Sequence, residues 1–134
     1  MKEVINFIKA KNIEDTTFFA QLKCSVEEAK ILQFMSKEFV NGRDTLCVID
    51  ILTEFYDTKN YEHLEKLDLI KSLLEFGWLI QVSFDQVKLS EASKLELINS
   101  NVSLSSAYLK MLENGSSDFV LPEIKNYSDH LEYL

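Results

Sequence analysis

Residue types able to do chemistry are thinly spread along this chain. His63 and His130 stand far apart, and neither has the HExxH companion that sets two imidazoles on one helical turn around a metal. Both read as surface histidines. Cys24 and Cys47 are the only thiols and lack CxxC spacing, so they read as buried, reduced side chains and not as a disulfide or metal pair. Ser36, Ser72 and Ser83 lie in no nucleophile elbow, and no Ser, His and Asp order can be assembled around them. Glu62, Glu65 and Asp68 are close enough to suggest a cation site, but no glycine-bearing calcium loop accompanies them. Their spacing is that of the solvated face of a helix. Catalytic, cofactor-binding and metal-ligating residues are all expected to be absent. Recognition is then the activity to look for, and it depends on the elements that build a surface.

Those elements follow from hydrophobic periodicity. Three Gly and one Pro in 134 residues are too few for a turn-dense β-sandwich, and 46% hydrophobic content suits one ordinary core. Val4, Ile5, Phe7 and Ile8 among lysines predict a short amphipathic helix over residues 2–12, which either packs on its own domain or docks elsewhere. Phe18 to Leu22 reads as a helical turn facing the core. Ser25-Val26-Glu27-Glu28 is a capping box, in which the serine hydroxyl accepts from a first-turn amide and Glu28 reaches back to the cap amide. The helix it starts carries Ala29, Ile31, Leu32, Phe34, Met35 and Phe39 inward and stops at Asn41-Gly42. Asp44 or Thr45 is expected to cap the next helix, with Val48, Ile49, Leu52 and Phe55 inward.

A further helix is predicted from Tyr61 to Phe76, ended by Gly77, whose freedom at positive φ suits a helix-to-strand corner. Trp78, Ile80 and Val82 alternate with Leu79, Gln81 and Ser83, the pattern of a strand with one buried face. Phe84-Asp85-Gln86 reads as a hairpin tip and Val87-Lys88-Leu89 as the return strand. Helical periodicity resumes at Ser90, breaks at Asn99 to Asn101, and restarts after Ser103. Trp78 is expected in the core beside Leu74, Ile80 and Leu89, with an exposed interface anchor as the alternative. Short helices followed by a hairpin describe a mainly α, winged-helix-like domain.

Charge restricts the partners of such a module. The formal net charge of −8 repels phosphate backbones. In a winged helix the element before the hairpin reads DNA. Here that element carries Glu62, Glu65, Asp68 and Glu75 against Lys66 and Lys71, and the only arginine, Arg43, lies elsewhere. The face that would meet DNA is acidic. Glu62, Glu65, Asp68 and Glu75 are therefore candidates for a protein-interaction surface, with Gly77 and Trp78 as the structural corner behind it. No stretch reaches the roughly 20 apolar residues of a membrane span. Met1 to Phe7 places charges on both sides of a short apolar patch with no cleavage site, so a cytoplasmic location is expected. Glycosylation tripeptides at Asn101, Asn114 and Asn126 then read as chance matches.

Three stretches resemble the N-terminal winged-helix region that precedes the ATPase module in a bacterial family of AAA+ ATPases. They are Phe19 to Leu22 leading into Ser25 to Leu32, the Leu73-Leu74-Glu75-Phe76-Gly77-Trp78-Leu79-Ile80 corner, and Val102 to Gly115. The tail Tyr127 to Leu134 is similar to the segment joining that region to the ATPase core. The chain has no GxxxxGK[ST] loop and no strand ending in paired acidic residues, so any ATP hydrolysis is expected of sequence beyond Leu134. The resemblance implies a non-catalytic adaptor without cofactor, partnered by a protein client or the downstream ATPase module, with oligomerisation driven by that module. Residues 1–24 would form an N-terminal extension, 25–113 the core with its following helices, and 114–134 a linker and the start of a further segment. A nucleic-acid-binding winged helix of a transcription regulator is the competing expectation, and the acidic face weighs against it.

Overall fold

The computed structural model describes residues 1–82 and 93–114. They form a mainly helical domain with a small three-stranded antiparallel sheet. In chain order the elements are α1 (Lys2–Lys9), a 3₁₀ turn (Ile13–Asp15), α2 (Thr17–Leu22), α3 (Val26–Val40), β1 (Thr45–Cys47) and α4 (Val48–Phe55). α5 (Glu62–Glu65), α6 (Leu67–Phe76), β2 (Leu79–Val82), α7 (Lys94–Leu97), β3 (Asn101–Leu104) and α8 (Ser106–Asn114) follow.

Local chemistry explains the helix ends. At the start of α3, Glu28 N–H donates to Ser25 Oγ (3.1 Å) while Ser25 N–H donates to the Glu28 carboxylate (2.9 Å), so two amides left orphaned by the helix are satisfied reciprocally. The same device recurs at Ser93 and Glu96 for the single turn of α7. α6 ends at Gly77, with φ 97° and ψ 7°. Trp78 N–H bonds Leu73 O (3.0 Å) and Gly77 N–H bonds Leu74 O (3.3 Å), the paired closure of a Schellman end. α3 likewise closes through Asn41 and Gly42.

The sheet runs in the order β1-β3-β2. Leu46 faces Val102 and Leu79 faces Leu104, and these four side chains are buried together. Ile80 opposite Ser103 and Val82 opposite Asn101 lie on the other face and are exposed. The expected phase of this strand is thus reversed. Trp78 is buried, but it belongs to the Schellman turn and not to the strand, so its burial does not carry over to Ile80 and Val82.

Four further expectations change. Residues 45–47 are a strand, not a helix cap, because Thr45 to Cys47 pair with Asn101 to Ser103. Cys47 is the residue before α4 and makes no side-chain cap. Val48 and Leu52 are buried as expected, whereas Ile49 is half-buried and Phe55 is exposed. The helix predicted over Tyr61 to Phe76 is two helices, broken at Lys66 (φ −96°, ψ 4°). Asn101 begins β3 and does not merely interrupt a helix. The hairpin tip at Phe84 to Gln86, the return strand at Val87 to Leu89, and everything beyond Asn114 lie outside the described residues; among those described, β3 is the strand that pairs with β2.

Residues 1–24 contribute Val4, Phe7, Ile13, Phe18 and Leu22 to the same core as α3, α6 and the sheet. Gln33 Nε2 fixes α1 in place by donating to Phe7 O and Ala10 O, each over 2.8 Å. A chain of edge-to-face rings runs Phe7, Phe18, Tyr108, Trp78, Phe76, with centroids 4.8, 5.8, 5.9 and 5.3 Å apart. Such pairs add about 0.5–1.5 kcal/mol each beyond area burial. They join α1, α2, α8 and the Gly77 corner. No helix among the described residues is long and apolar enough to cross a membrane.

Candidate functional site

The surface before β2 is built by a loop and two short helices. Asp57 organises the loop: its carboxylate accepts from Lys59 N–H (2.8 Å) and Asn60 Nδ2 (3.3 Å), and its carbonyl accepts from Glu62 N–H (3.1 Å). This closure drives Tyr61 into the left-handed region at φ 57° and ψ 29°. A non-glycine residue there costs roughly 1–2 kcal/mol. The Tyr61 ring nevertheless stands 66% exposed.

From Tyr61 onward the exposed positions are Tyr61, Glu62, Leu64, Glu65, Asp68, Ser72 and Glu75, a helical stripe that continues across the break at Lys66. Glu62, Glu65, Asp68 and Glu75 all lie on it. At the break, Lys66 is engaged by α3 while still feeling Glu62 and Glu65. Glu27 of α3 accepts from Lys66 Nζ (2.9 Å) and from Tyr56 OH (2.6 Å), and the ammonium sits 5.2 Å from the centre of the Tyr56 ring. The hydrogen bond from Tyr56, with Lys66 behind it, holds the Glu27 carboxyl below its ordinary value. Burial and then the hydrogen bond to Glu27 push the Tyr56 phenol above its own. Asp68 pairs with Lys94 of α7 at 2.8 Å. Glu62, Glu65 and Glu75 have no ion-pair partner among the described residues.

Candidate chemical groups are placed where they do little chemistry. His63 is buried, at 7% exposure, and not on the surface as its charged neighbours imply. Its Nδ1 has no hydrogen-bond partner among the described residues, and its ring lies 6.4 Å from that of Tyr61. Ser36 is fully buried: its hydroxyl donates to Leu32 O (2.7 Å) and receives the Tyr108 hydroxyl (2.8 Å). It cannot attack a substrate. Ser72 is exposed on the acidic stripe; Ser83 and His130 lie outside the described residues. Cys24 and Cys47 are free and half-buried, and burial, with Glu28 adding to it, pushes the Cys24 thiol up to about 12. Such a thiol is inert at neutral pH. An open depression of about 250 Å³ between α1 and α2 is lined by Glu3, Asp15 and Thr16, among others. The Thr16 hydroxyl is already committed there, donating to Ile13 O (2.7 Å) and accepting from Phe19 N–H (3.2 Å). Among the described residues no three His, Cys, Asp or Glu side chains gather as metal ligands.

Trp78 is 1% exposed and gives its indole N–H to Leu22 O. It supports the corner from inside and offers nothing to a partner. The residue missed from sequence is Tyr61: nothing in a tyrosine flanked by Asn60 and Glu62 signals a left-handed backbone. The Asp57-Thr58-Lys59-Asn60 run was the available signal for a tight turn. Comparison with protein-family models, with curated proteins and with solved structures finds no match.

Proposed function

We propose that the chain is a non-catalytic protein-docking domain of winged-helix-like plan, the N-terminal adaptor of an AAA+ ATPase that recognises a client or positions the ATPase ring. The observation that carries the docking reading is the stripe from Tyr61 to Glu75. The order α3, β1, α4, α5 with α6, β2, α7, β3 and the sheet order β1-β3-β2 support that plan in its helices followed by antiparallel strands, with α7 lying between β2 and β3. On that plan α5 and α6 take the part of a recognition helix, and what this pair presents to solvent is Glu62, Glu65, Asp68 and Glu75 around the exposed Tyr61 and Leu64. That face repels phosphate and fits protein. Recognition is noncovalent, and nucleotide chemistry is assigned to a parent ATPase module.

Titration of duplex DNA at low salt tests the docking reading, because electrostatic binding is strongest there. The expected result is no sequence-dependent binding; sub-micromolar, sequence-dependent affinity would replace it with a nucleic-acid role. The AAA+ assignment is tested by the reading frame that encodes this chain, in which a GxxxxGK[ST] loop downstream of Leu134 is expected. Calorimetry of the isolated chain with Mg-ATP should give no heat of binding, and saturable micromolar binding would contradict the adaptor reading.

A further inference from the structure

We propose that the stripe receives a Lys/Arg-bearing amphipathic segment of a partner protein, seated on Tyr61, Leu64 and Phe55 and held by Glu62 and Glu65. The inference rests on the docking reading and names the partner's chemistry. Tyr61, Leu64 and Phe55 are 66%, 36% and 38% exposed on neighbouring elements. Phe55, near the end of the preceding helix α4, is braced edge-to-face against Phe34 of α3 (5.7 Å). Tyr61 stands exposed on a left-handed backbone that a tyrosine adopts only at a cost. Next to it the buried His63 Nδ1 lacks a hydrogen-bond partner among the described residues.

Charge decides the occupant. Glu62 and Glu65 flank Leu64 without an ion pair among the described residues, and the basic residue nearest to them in sequence, Lys66, is bound to Glu27. A second copy would bring the same carboxylates and the same net charge of −8 against them. Nucleic acid and anionic membranes are repelled for the same reason. A basic segment with apolar side chains between its cations satisfies both the carboxylates and the apolar strip, and such apolar-face docking of an amphipathic segment is a recurrent recognition mode.

The test uses the ¹⁵N-labelled full chain and three synthetic helical peptides: an amphipathic Leu/Lys peptide, a Gln/Lys peptide of equal charge, and a Leu/Glu peptide. The Leu/Lys peptide should bind saturably, with amide shifts centred on Phe55 and on Tyr61 to Asp68, and the other two should bind weakly or not at all. Tyr61→Asn keeps a residue that tolerates the left-handed backbone while removing the ring, so it should weaken binding about tenfold or more without lowering the melting temperature. Glu62→Lys with Glu65→Lys should abolish binding. Equal binding of the Gln/Lys peptide, or equal affinity of the Tyr61→Asn chain, overturns the proposal, as does sedimentation showing the chain paired with itself through this stripe. Saturable shifts centred on another face overturn this surface alone and leave the docking reading standing, whereas that reading fails on sequence-dependent DNA binding.

Discussion

The indole nitrogen of Trp78 donates to the backbone carbonyl of Leu22 over 3.2 Å, joining the turn after α6 to the last residue of α2. Leu22 O is one of the carbonyls that a helix end leaves without an internal partner. The following residue, Lys23, is left-handed at φ 54°, so the chain turns away at once. A side chain 56 positions distant therefore caps α2. This contact anchors the end of the acidic stripe from inside, because Trp78 is joined through Gly77 to the helix that carries Asp68 and Glu75.

Truncating Trp78 separates packing from hydrogen bonding. Trp78→Ala should destabilise the fold by about 3–5 kcal/mol through the cavity it leaves. Trp78→Phe keeps much of the ring but leaves Leu22 O buried without its donor, at roughly 1–3 kcal/mol. Urea melts followed by circular dichroism measure both, since the chain's only tryptophan is lost as a fluorescent probe. Wild-type stability in Trp78→Phe would show that the bond to Leu22 contributes nothing.

Gly77 and Gly42 provide a controlled pair. Both have φ 97°, yet a Cβ at Gly42 would meet no atom within 4 Å, while Gly77 is buried between α6 and β2. Gly42→Ala should cost only the left-handed strain, roughly 1–2 kcal/mol. Gly77→Val adds a branched side chain inside the Schellman turn and should cost more, on the order of 1–3 kcal/mol from backbone strain before any clash. Thermal melts rank them. An equal loss at the two sites would mean that the corner is no more tightly packed than a surface turn.

Tyr108 and Ser36 predict an asymmetry. The Ser36 hydroxyl donates to Leu32 O, so Tyr108 must be the donor between the pair, 2.8 Å apart. Removing that donor with Tyr108→Phe leaves Ser36 still bonded to its own helix and should cost about 0.5–1.5 kcal/mol. Ser36→Ala strands a fully buried phenol and should cost about 1–3 kcal/mol. The double variant should cost less than the two single losses added together. If Tyr108→Phe is the more damaging of the two, the direction of the bond is wrong.

Local signals made much of the frame legible. Ser25 with Glu28, Asn41 with Gly42, and Gly77 before an apolar strand each act within a few residues, and each ends or begins a helix where expected. The buried Trp78 was legible too, from its place after that glycine. What escaped depends on distant partners. β1 is three residues whose strand character comes from pairing with Asn101 to Ser103, and no local pattern announces such a short edge strand. Alternation in β2 defines two faces without saying which is inward, and the turn at Gly77 breaks the phase between Trp78 and Ile80. At the stripe, Glu62, Glu65, Asp68 and Glu75 were readable because charge follows helical spacing. Tyr61 and the break at Lys66 were not, since neither position carries the glycine or proline that normally marks such a backbone.

Glu27 gives the domain a pH dependence with a definite sign. Its carboxylate is held by Tyr56 OH and Lys66 Nζ, so in the folded chain it loses its proton more readily than at its ordinary value of 4.5. Between 4.5 and that lowered value the unfolded chain binds more protons, and stability rises with pH. The contribution is complete above the ordinary value and is lost as pH falls through the folded one. Glu27→Gln, whose amide oxygen still accepts from Tyr56, should therefore melt lower than wild type at neutral pH and converge with it in acid. The Lys66 ion pair is exposed to solvent, so molar salt should shrink the neutral-pH difference as well. Tyr56→Phe removes the largest cause of the shift and should return the Glu27 carboxyl toward 4.5 in a carbon-detected NMR titration. A wild-type Glu27 already titrating at its ordinary value would show that the contact joining α3 to the α5–α6 break is not formed in solution.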